Sequence, residues 1–395
     1  MFKWVLNAYY CMMIPDYIRS SDADSFGRYT ICSRFPKIVN DIIENNKGAD
    51  VRHLTILDEG ISGLKIKTLV PVDDNVALFN ASIEPFLNQG IFDVPFFTAE
   101  LFFYQLLAEQ LNYRVNGLDY FSTLKNRSLS DAIELISGRL APFPMDWGAI
   151  TPEHVVQSLH FALWGNLADL SLFTLAKQSP KGSFSPERIL IDDSIAFIEF
   201  FRSYRGTVHV FLDNAGYELV SDLYLIAVLL LANPYCKIKA HVKPIPMFVS
   251  DTTINDWQLT LAAISDRKEM PPHNWRFVLE SALTERRISL TTDPFWSSAY
   301  HFSDHWLNVL NVDPGELIIC KGDLNYRRFF EDRAWPADTP TEAAVTTTTA
   351  PILFLRTLKS EIMTGLQPTT VQGLHITEPD WLIAGKYGII QFSMR

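Results

Sequence analysis

Apolar and polar positions keep a helical period through the first part of the chain and change texture near residue 189. Phe35, Ile38, Val39, Ile42 and Ile43 recur at three- and four-residue spacing, which predicts a helix that packs one apolar face on a core. Residues 98–111 predict a second helix, bounded by Pro95 before it and by the 112–117 segment after it. Residues 127–140 and 154–163 read as two more. Residues 81–86 are a weaker piece, because Pro85 interrupts any helix there. Beyond residue 189, short apolar runs alternate with amphipathic ones. Residues 207–212, 237–242, 246–251, 316–320, 351–355 and 385–392 predict strands, 217–231 and 252–265 predict helices, and 275–279 fits either. The Pro-, Thr- and Ala-rich segment 333–350 predicts a flexible surface loop. Strands interleaved with helices point to an α/β protein, a three-layer α/β/α sandwich with a largely parallel central sheet. A helical N-terminal subdomain over 1–150 would precede an α/β domain over 151–395.

Polar residues concentrate where the strands end. Asp213-Asn214 closes the run 207–212, and the carboxyl ends of parallel strands face the crevice where ligands bind. Asp251, the run Lys321-Gly322-Asp323-Leu324-Asn325-Tyr326-Arg327, and Arg356-Thr357-Leu358-Lys359 close three others. Taken alone, Asp213 or Asn214 reads better as the N-cap of the following helix than as a ligand. Four polar ends on one sheet would instead converge. Asp213, Asn214 and Asp251 then form a set of hard oxygen donors suited to Mg²⁺ or Mn²⁺. Lys321, Arg327, Arg356 and Lys359 supply cations for an anionic substrate. Asn166 and Asp169, three apart, fall on one side of a turn or new helix. Glu100 reads as a solvated helix carboxylate and His241 as a packed strand residue.

Charge and cysteine usage narrow the partners. A net charge of −11 and a pI near 5.3 repel nucleic acid and anionic membranes, so neither is expected as a partner. A phosphorylated ligand would need a metal or local Lys/Arg. With 48% hydrophobic residues the chain can bury a sizeable core, which excludes a disordered protein. Cys11, Cys32, Cys236 and Cys320 are scattered without a C-x-x-C pair, as expected of free thiols in a reducing compartment. Residues 1–14 are apolar but broken by Lys3 and Asn7, and fall short of the ~20 residues of a membrane span. They read as the start of a helix or a docked strand. A cytoplasmic location follows, with the nucleus also open.

Metal-assisted hydrolysis of a phosphate ester is the reaction this set of residues suggests. The attacking group would be a water or, through an aspartyl-phosphate, Asp213. Ala215 stands where an Asp-x-Asp nucleophile motif has its second Asp, which favours water. No Walker loop, G-x-G-x-x-G, G-x-S-x-G or H-E-x-x-H is present.

Trp164-Gly-Asn166-Leu-Ala-Asp169, Asp213-Asn-Ala-Gly-Tyr-Glu218, His241-Val-Lys243-Pro, Phe248-Val-Ser-Asp251, Lys321-Gly-Asp-Leu-Asn-Tyr-Arg327 and Arg356-Thr-x-Lys359 occur in this order. Together they resemble the damage-control phosphatase family, domain of unknown function 89. The Arg-Thr-x-Lys signature is similar to that of its sugar-phosphate, acidic residue methyltransferase-like subfamily. The resemblance covers nearly the whole chain. It implies a metal-dependent phosphatase acting on phosphometabolites such as fructose 1-phosphate or fructose 6-phosphate, with Mn²⁺, Co²⁺, Ni²⁺ or Mg²⁺. It implies metal ligation by Asp213, Asn214 and Asp251, and substrate contacts from Asp323, Leu324, Asn325, Tyr326, Arg327 and Lys359. Asn166, Asp169, Arg356 and Lys386 would be outer site residues. Gln105, following Tyr104, departs from the Arg that relatives tend to carry. The resemblance also raises S-adenosylmethionine-dependent carboxyl methylation, with Glu218 at that cofactor. No glycine-rich loop for it follows a strand, and Glu218 reads equally as an outer-shell partner of a ligand. A non-catalytic sugar-phosphate binder is the third alternative.

Overall fold

Alternate side chains along the strand that leads to Asp213 are buried on opposite faces of one sheet. Val208, Val210 and Leu212 pack on one side and Phe211 on the other. Such two-sided burial is what a strand inside a three-layer sandwich requires. The computed structural model describes residues 14–46, 54, 60–139, 150–165, 186–265, 275–304, 306–345 and 348–394. Among them seven strands form one sheet: β1 (Ile189–Asp192), β2 (Gly206–Phe211), β3 (Cys236–Val242), β4 (Ile288–Thr292), β5 (Leu317–Lys321), β6 (Ile352–Thr357) and β7 (Gly388–Ser393). Their order is β1-β7-β6-β5-β2-β3-β4. β7 is antiparallel to β6 and parallel to β1, and every other pairing is parallel. From β2 the chain proceeds outward to β3 and β4, then returns to the other side of β2 for β5 and β6. The direction of winding therefore reverses between β2 and β5, and a crevice opens there at the strands' carboxyl ends.

The N-terminal part is helical: α1 (Phe35–Asn45), α2 (Phe96–Gln110) and α3 (Ser122–Arg139) are its main elements. Phe35, Val39 and Ile42 of α1 are buried as their spacing predicts, and Phe35 stacks on Phe103 of α2 at 3.8 Å. This core continues into the α/β part through Ile245, Met247 and Leu324, so the helices sit over the crevice end of the sheet. One sheet face is covered by α4 (Pro152–Trp164), α5 (Ser194–Ser203), α6 (Tyr217–Ala232), α7 (Ile254–Ser265) and α8 (Trp275–Thr284). α6 is buried nearly all round, which explains its almost unbroken apolar sequence. α9 (Gly322–Phe329) and α10 (Pro368–Thr377) lie on the other face with Phe295, Trp296 and Trp381. The fold is the expected three-layer α/β arrangement.

Several segments differ from the sequence expectation. Residues 246–251 are not a strand: the chain leaves β3 and turns, with Phe248 at φ +48° and Val249 at φ +70°. A β-branched residue in left-handed backbone is strained, and tertiary contacts must hold it there. The 321–327 segment, which closes the strand as expected, runs directly into α9. Residues 275–279 open a full helix, and β4 is an edge strand too polar to announce itself. The 333–350 segment is not a simple surface loop, since Thr339, Thr341, Val345 and Ala350 are buried. No helix among the described residues is long and apolar enough to cross a membrane. Cys32, Cys236 and Cys320 are free thiols. Residues 1–13, Asn166 and Asp169 lie outside the described residues.

Candidate active site

Where β2 ends, its backbone continues into a second partnership. Thr252 N–H donates to Asp213 O at 2.7 Å, Ala215 N–H donates to Ser250 O at 2.7 Å, and Asn214 and Asp251 pair as an antiparallel bridge. The turn after β3 thus lays Ser250-Asp251-Thr252 beside Asp213-Asn214-Ala215. Two carboxylates 38 positions apart come to adjacent backbones by this route. The β5 end approaches from the other side. Gly322 adopts φ +79°, and a Cβ there would overlap the Asp213 carboxylate, so both the backbone and the space require glycine. Helix capping is not the role of Asp213 or Asn214. Gly216 is the N-cap of α6, no side chain caps it, and Tyr217 N–H donates to Ser128 Oγ of α3 at 3.3 Å.

Asp213, Glu218, Asp222 and Asp251 are all buried. Asn214 links two of them: its amide donates to Asp213 Oδ2 at 3.1 Å and Glu218 Oε2 at 2.8 Å, while its Oδ1 accepts from Ser250 Oγ at 2.6 Å. Asp213 Oδ1 and Asp251 Oδ2 are buried without a hydrogen-bond partner. Burial raises the Asp213 carboxyl well above its usual range, with Glu218 and Asp251 adding to the rise and Lys243 opposing it. Asp251 is pushed up to about 7, chiefly by burial, against Lys243, Lys125 and Arg328. Two unsatisfied carboxylate oxygens beside an amide oxygen with a spare lone pair are the donors a hard divalent cation takes. Among the described residues no three His, Cys, Asp or Glu side chains stand together as a metal site, so the amide is needed to complete such a set.

The strand-end cations turn mostly to partners within the protein. The buried Lys321 ammonium lies 3.0 Å from Asp222 and 3.4 Å from Glu218 and donates to Ala162 O at 2.6 Å. Arg327 grips Asp332 through two bonds of 2.7 and 2.9 Å and also binds Glu100. Glu100 is therefore a buried ion-pair partner and not a solvated helix carboxylate. Arg356 donates to Asp323 Oδ1 at 2.8 Å and to Ile362 O at 2.7 Å, over the Tyr326 ring. Asp323 Oδ1 also accepts from Lys359 N–H at 3.1 Å, which ties the β5 and β6 ends together. Asn325 donates to the carbonyls of Phe211, Leu212 and Lys321 and accepts from Lys243 Nζ at 3.1 Å. Leu324 belongs to the helical core, and the Tyr326 hydroxyl meets Thr364 at 3.1 Å. Lys386 is exposed and pairs with Glu378 at 3.2 Å.

A cleft of about 600 Å³ opens over Asn214, Glu218 and Lys359. Its other wall comes from the helical part: Arg34, Phe35, Tyr104, Lys125, Arg127 and Ser128. Sequence reasoning missed these residues. The single local trace is Lys125, Arg127 and Ser128 clustered on one helix.

A model of the damage-control phosphatase ARMT1-like domain matches residues 30–373. The chain belongs to this damage-control phosphatase family. It is similar to Damage-control phosphatase ARMT1 of Danio rerio, with 27% identity over 441 residues covering 97% of this chain and 98% of that protein. The protein of the same name from Xenopus laevis is 28% identical, covering 96% and 99%, and that from Homo sapiens 27%, covering 96% and 99%. Among solved structures, a DUF89 family protein from Pyrococcus horikoshii aligns with a TM-score of 0.47 at 15% identity, covering 92% of this chain and 96% of that one.

Two residues singled out against the damage-control phosphatase pattern have definite surroundings. Gln105 is fully buried, donating to Ser297 O at 2.8 Å and accepting from Arg114 at 2.6 Å, so it braces the helical part. Glu218, the residue considered for S-adenosylmethionine, is buried at the start of α6 and bound to Asn214 and Lys321.

Proposed function

We propose that this member of the damage-control phosphatase family is a metal-dependent phosphoric monoester hydrolase acting on sugar phosphates of the fructose 1-phosphate or fructose 6-phosphate kind. The observation that carries the reading is the pair of buried, unpartnered oxygens, Asp213 Oδ1 and Asp251 Oδ2, at the mouth of the β2–β5 crevice. Asp213, Asn214 and Asp251 would hold Mn²⁺, Co²⁺, Ni²⁺ or Mg²⁺, which supplies Lewis-acid polarisation of the phosphoryl group and a water of lowered pKa. Glu218 and Ser250 fix the Asn214 amide between them, so its carbonyl oxygen is oriented in advance. Lys243, lying near both carboxylates, offsets part of their mutual repulsion. Lys359 lines the cleft and would hold the ester's phosphate. Arg356 acts through Asp323 by keeping the Lys359 backbone in place. A water is the better attacker, since Asp213 has no second acid two residues on.

The test is inorganic phosphate release from hexose and pentose phosphates by EDTA-treated and Mn²⁺- or Co²⁺-loaded protein. Release that depends on added metal is expected. Equal inertness of both preparations would remove the phosphatase reading, and binding of labelled S-adenosylmethionine by that inert protein would then favour carboxyl methylation.

A further inference from the structure

Cations around the crevice are largely neutralised from within. Lys321, Arg327 and Arg356 have the carboxylate partners described above, and Lys37 at the cleft rim pairs with Asp41 at 2.6 Å. Two guanidiniums lining the cleft, Arg34 and Arg127, have no carboxylate partner within ion-pair distance among the described residues. Both are exposed and both belong to the helical wall. Arg34 immediately precedes α1 and lies over the Phe26 ring at 5.5 Å. Arg127 sits on α3 two residues beyond Lys125, whose ammonium donates to Asp251 O at 2.8 Å. Among the carboxylates that line the cleft, Asp41, Glu100 and Glu218 are bound to Lys37, Arg327 and Lys321. Asp131, one turn past Arg127, forms no ion pair with it.

On a chain of net charge −11, two guanidiniums without carboxylate partners inside one cleft concentrate positive potential where a ligand enters. The planar guanidinium fork matches a carboxylate or phosphate. The strand-end wall, with Asn214, Glu218 and Lys359, is where the proposed phosphatase reaction would hold one phosphoryl group. We propose that Arg34 and Arg127 form a second anion subsite on the helical wall, so that the cleft prefers phosphate esters carrying a further acidic group: phosphorylated sugar acids over neutral sugar phosphates. The turnover half of this inference rests on the phosphatase reading, and the binding half does not.

Gluconate 6-phosphate and glucose 6-phosphate share the phosphate and differ at C1, where one carries a carboxylate. With metal-loaded full-length protein, kcat/KM should favour the acid by roughly tenfold, mainly through KM. In the double variant R34Q/R127Q the ratio should fall towards one. Equal kcat/KM in the wild type, or a preference that the double variant keeps, overturns the subsite. Calorimetric titration of both esters into wild type and variant without turnover separates the two ideas. Tighter binding of gluconate 6-phosphate that the variant loses, in a protein that hydrolyses neither ester, would sustain the subsite and remove the phosphatase reading. Equal affinity of the wild type for both esters would remove the subsite whatever the turnover. Both side chains are exposed, so the variant should melt like the wild type.

Discussion

The Lys125 ammonium donates to the backbone carbonyl of Asp251 at 2.8 Å, joining the helical N-terminal part directly to the candidate site. The same ammonium binds Asp119 at 2.8 Å and Asp256 at 2.9 Å; Lys125 and Asp256 are buried and Asp119 is half-buried. Lys125→Met would strand two carboxylates without their cation. Breaking a buried pair from one side costs about 3–5 kcal/mol. Urea unfolding should show a loss of that order, and Lys125→Met with unchanged stability would mean that solvent reaches the pair.

Gly322→Ala tests the approach of β5 to Asp213. The new Cβ would overlap the carboxylate and would also force a left-handed backbone on alanine, which alone costs about 1–2 kcal/mol. Phosphate release should fall further than thermal stability does. A variant with wild-type turnover would show that the Asp213 position is not critical.

Lys359→Ala should raise KM for a sugar phosphate with little change in kcat, as expected for a charge that holds the phosphate equally in ground and transition states. The backbone tie from Lys359 to Asp323 survives the substitution, so the β5–β6 end should keep its shape. A drop in kcat at constant KM would instead place Lys359 in the chemical step.

His301 predicts part of the acid sensitivity. Burial, together with Arg328, Arg333 and Arg327, lowers its pKa to about 3. Unfolded histidine titrates near 6.5, so between about 6.5 and 3 the unfolded chain binds a proton that the folded chain refuses. This contribution is present in full above that window and is lost as pH falls through it. Between pH 6.5 and 5, wild-type stability should fall relative to His301→Gln by about 1 kcal/mol per pH unit. Parallel stability curves for the two proteins would contradict this.

The sequence carried β2, β3, β5, β6 and β7, but not the edge strands β1 and β4, because period and strand-end composition are local signals. Residues 207–212 and 237–242 lie within one position of β2 and β3, and the α6 region is as expected. Asp251 came out beside Asp213 although the predicted strand leading to it is a turn, since what brings them together is a backbone bridge between distant segments. The basic residues were harder to read. Lys321, Arg327 and Arg356 are identifiable as cations in the sequence, but Asp222, Asp332 and Asp323, which neutralise them, are partners selected only by the fold. The helical wall was missed for the same reason: Arg34 and Tyr104 become cleft residues only once α1 and α2 are laid over the sheet.

On the proposed reading, Asp213 Oδ1 and Asp251 Oδ2 lack protein partners because they are donors for a divalent cation. Calorimetric titration of Mn²⁺ into the wild type and Asp251→Asn tests it most directly. The wild type should bind one Mn²⁺, and the variant should bind it at least about tenfold more weakly while melting at a similar temperature. Equal stoichiometry and affinity in the two proteins would rule out Asp251 as a metal ligand.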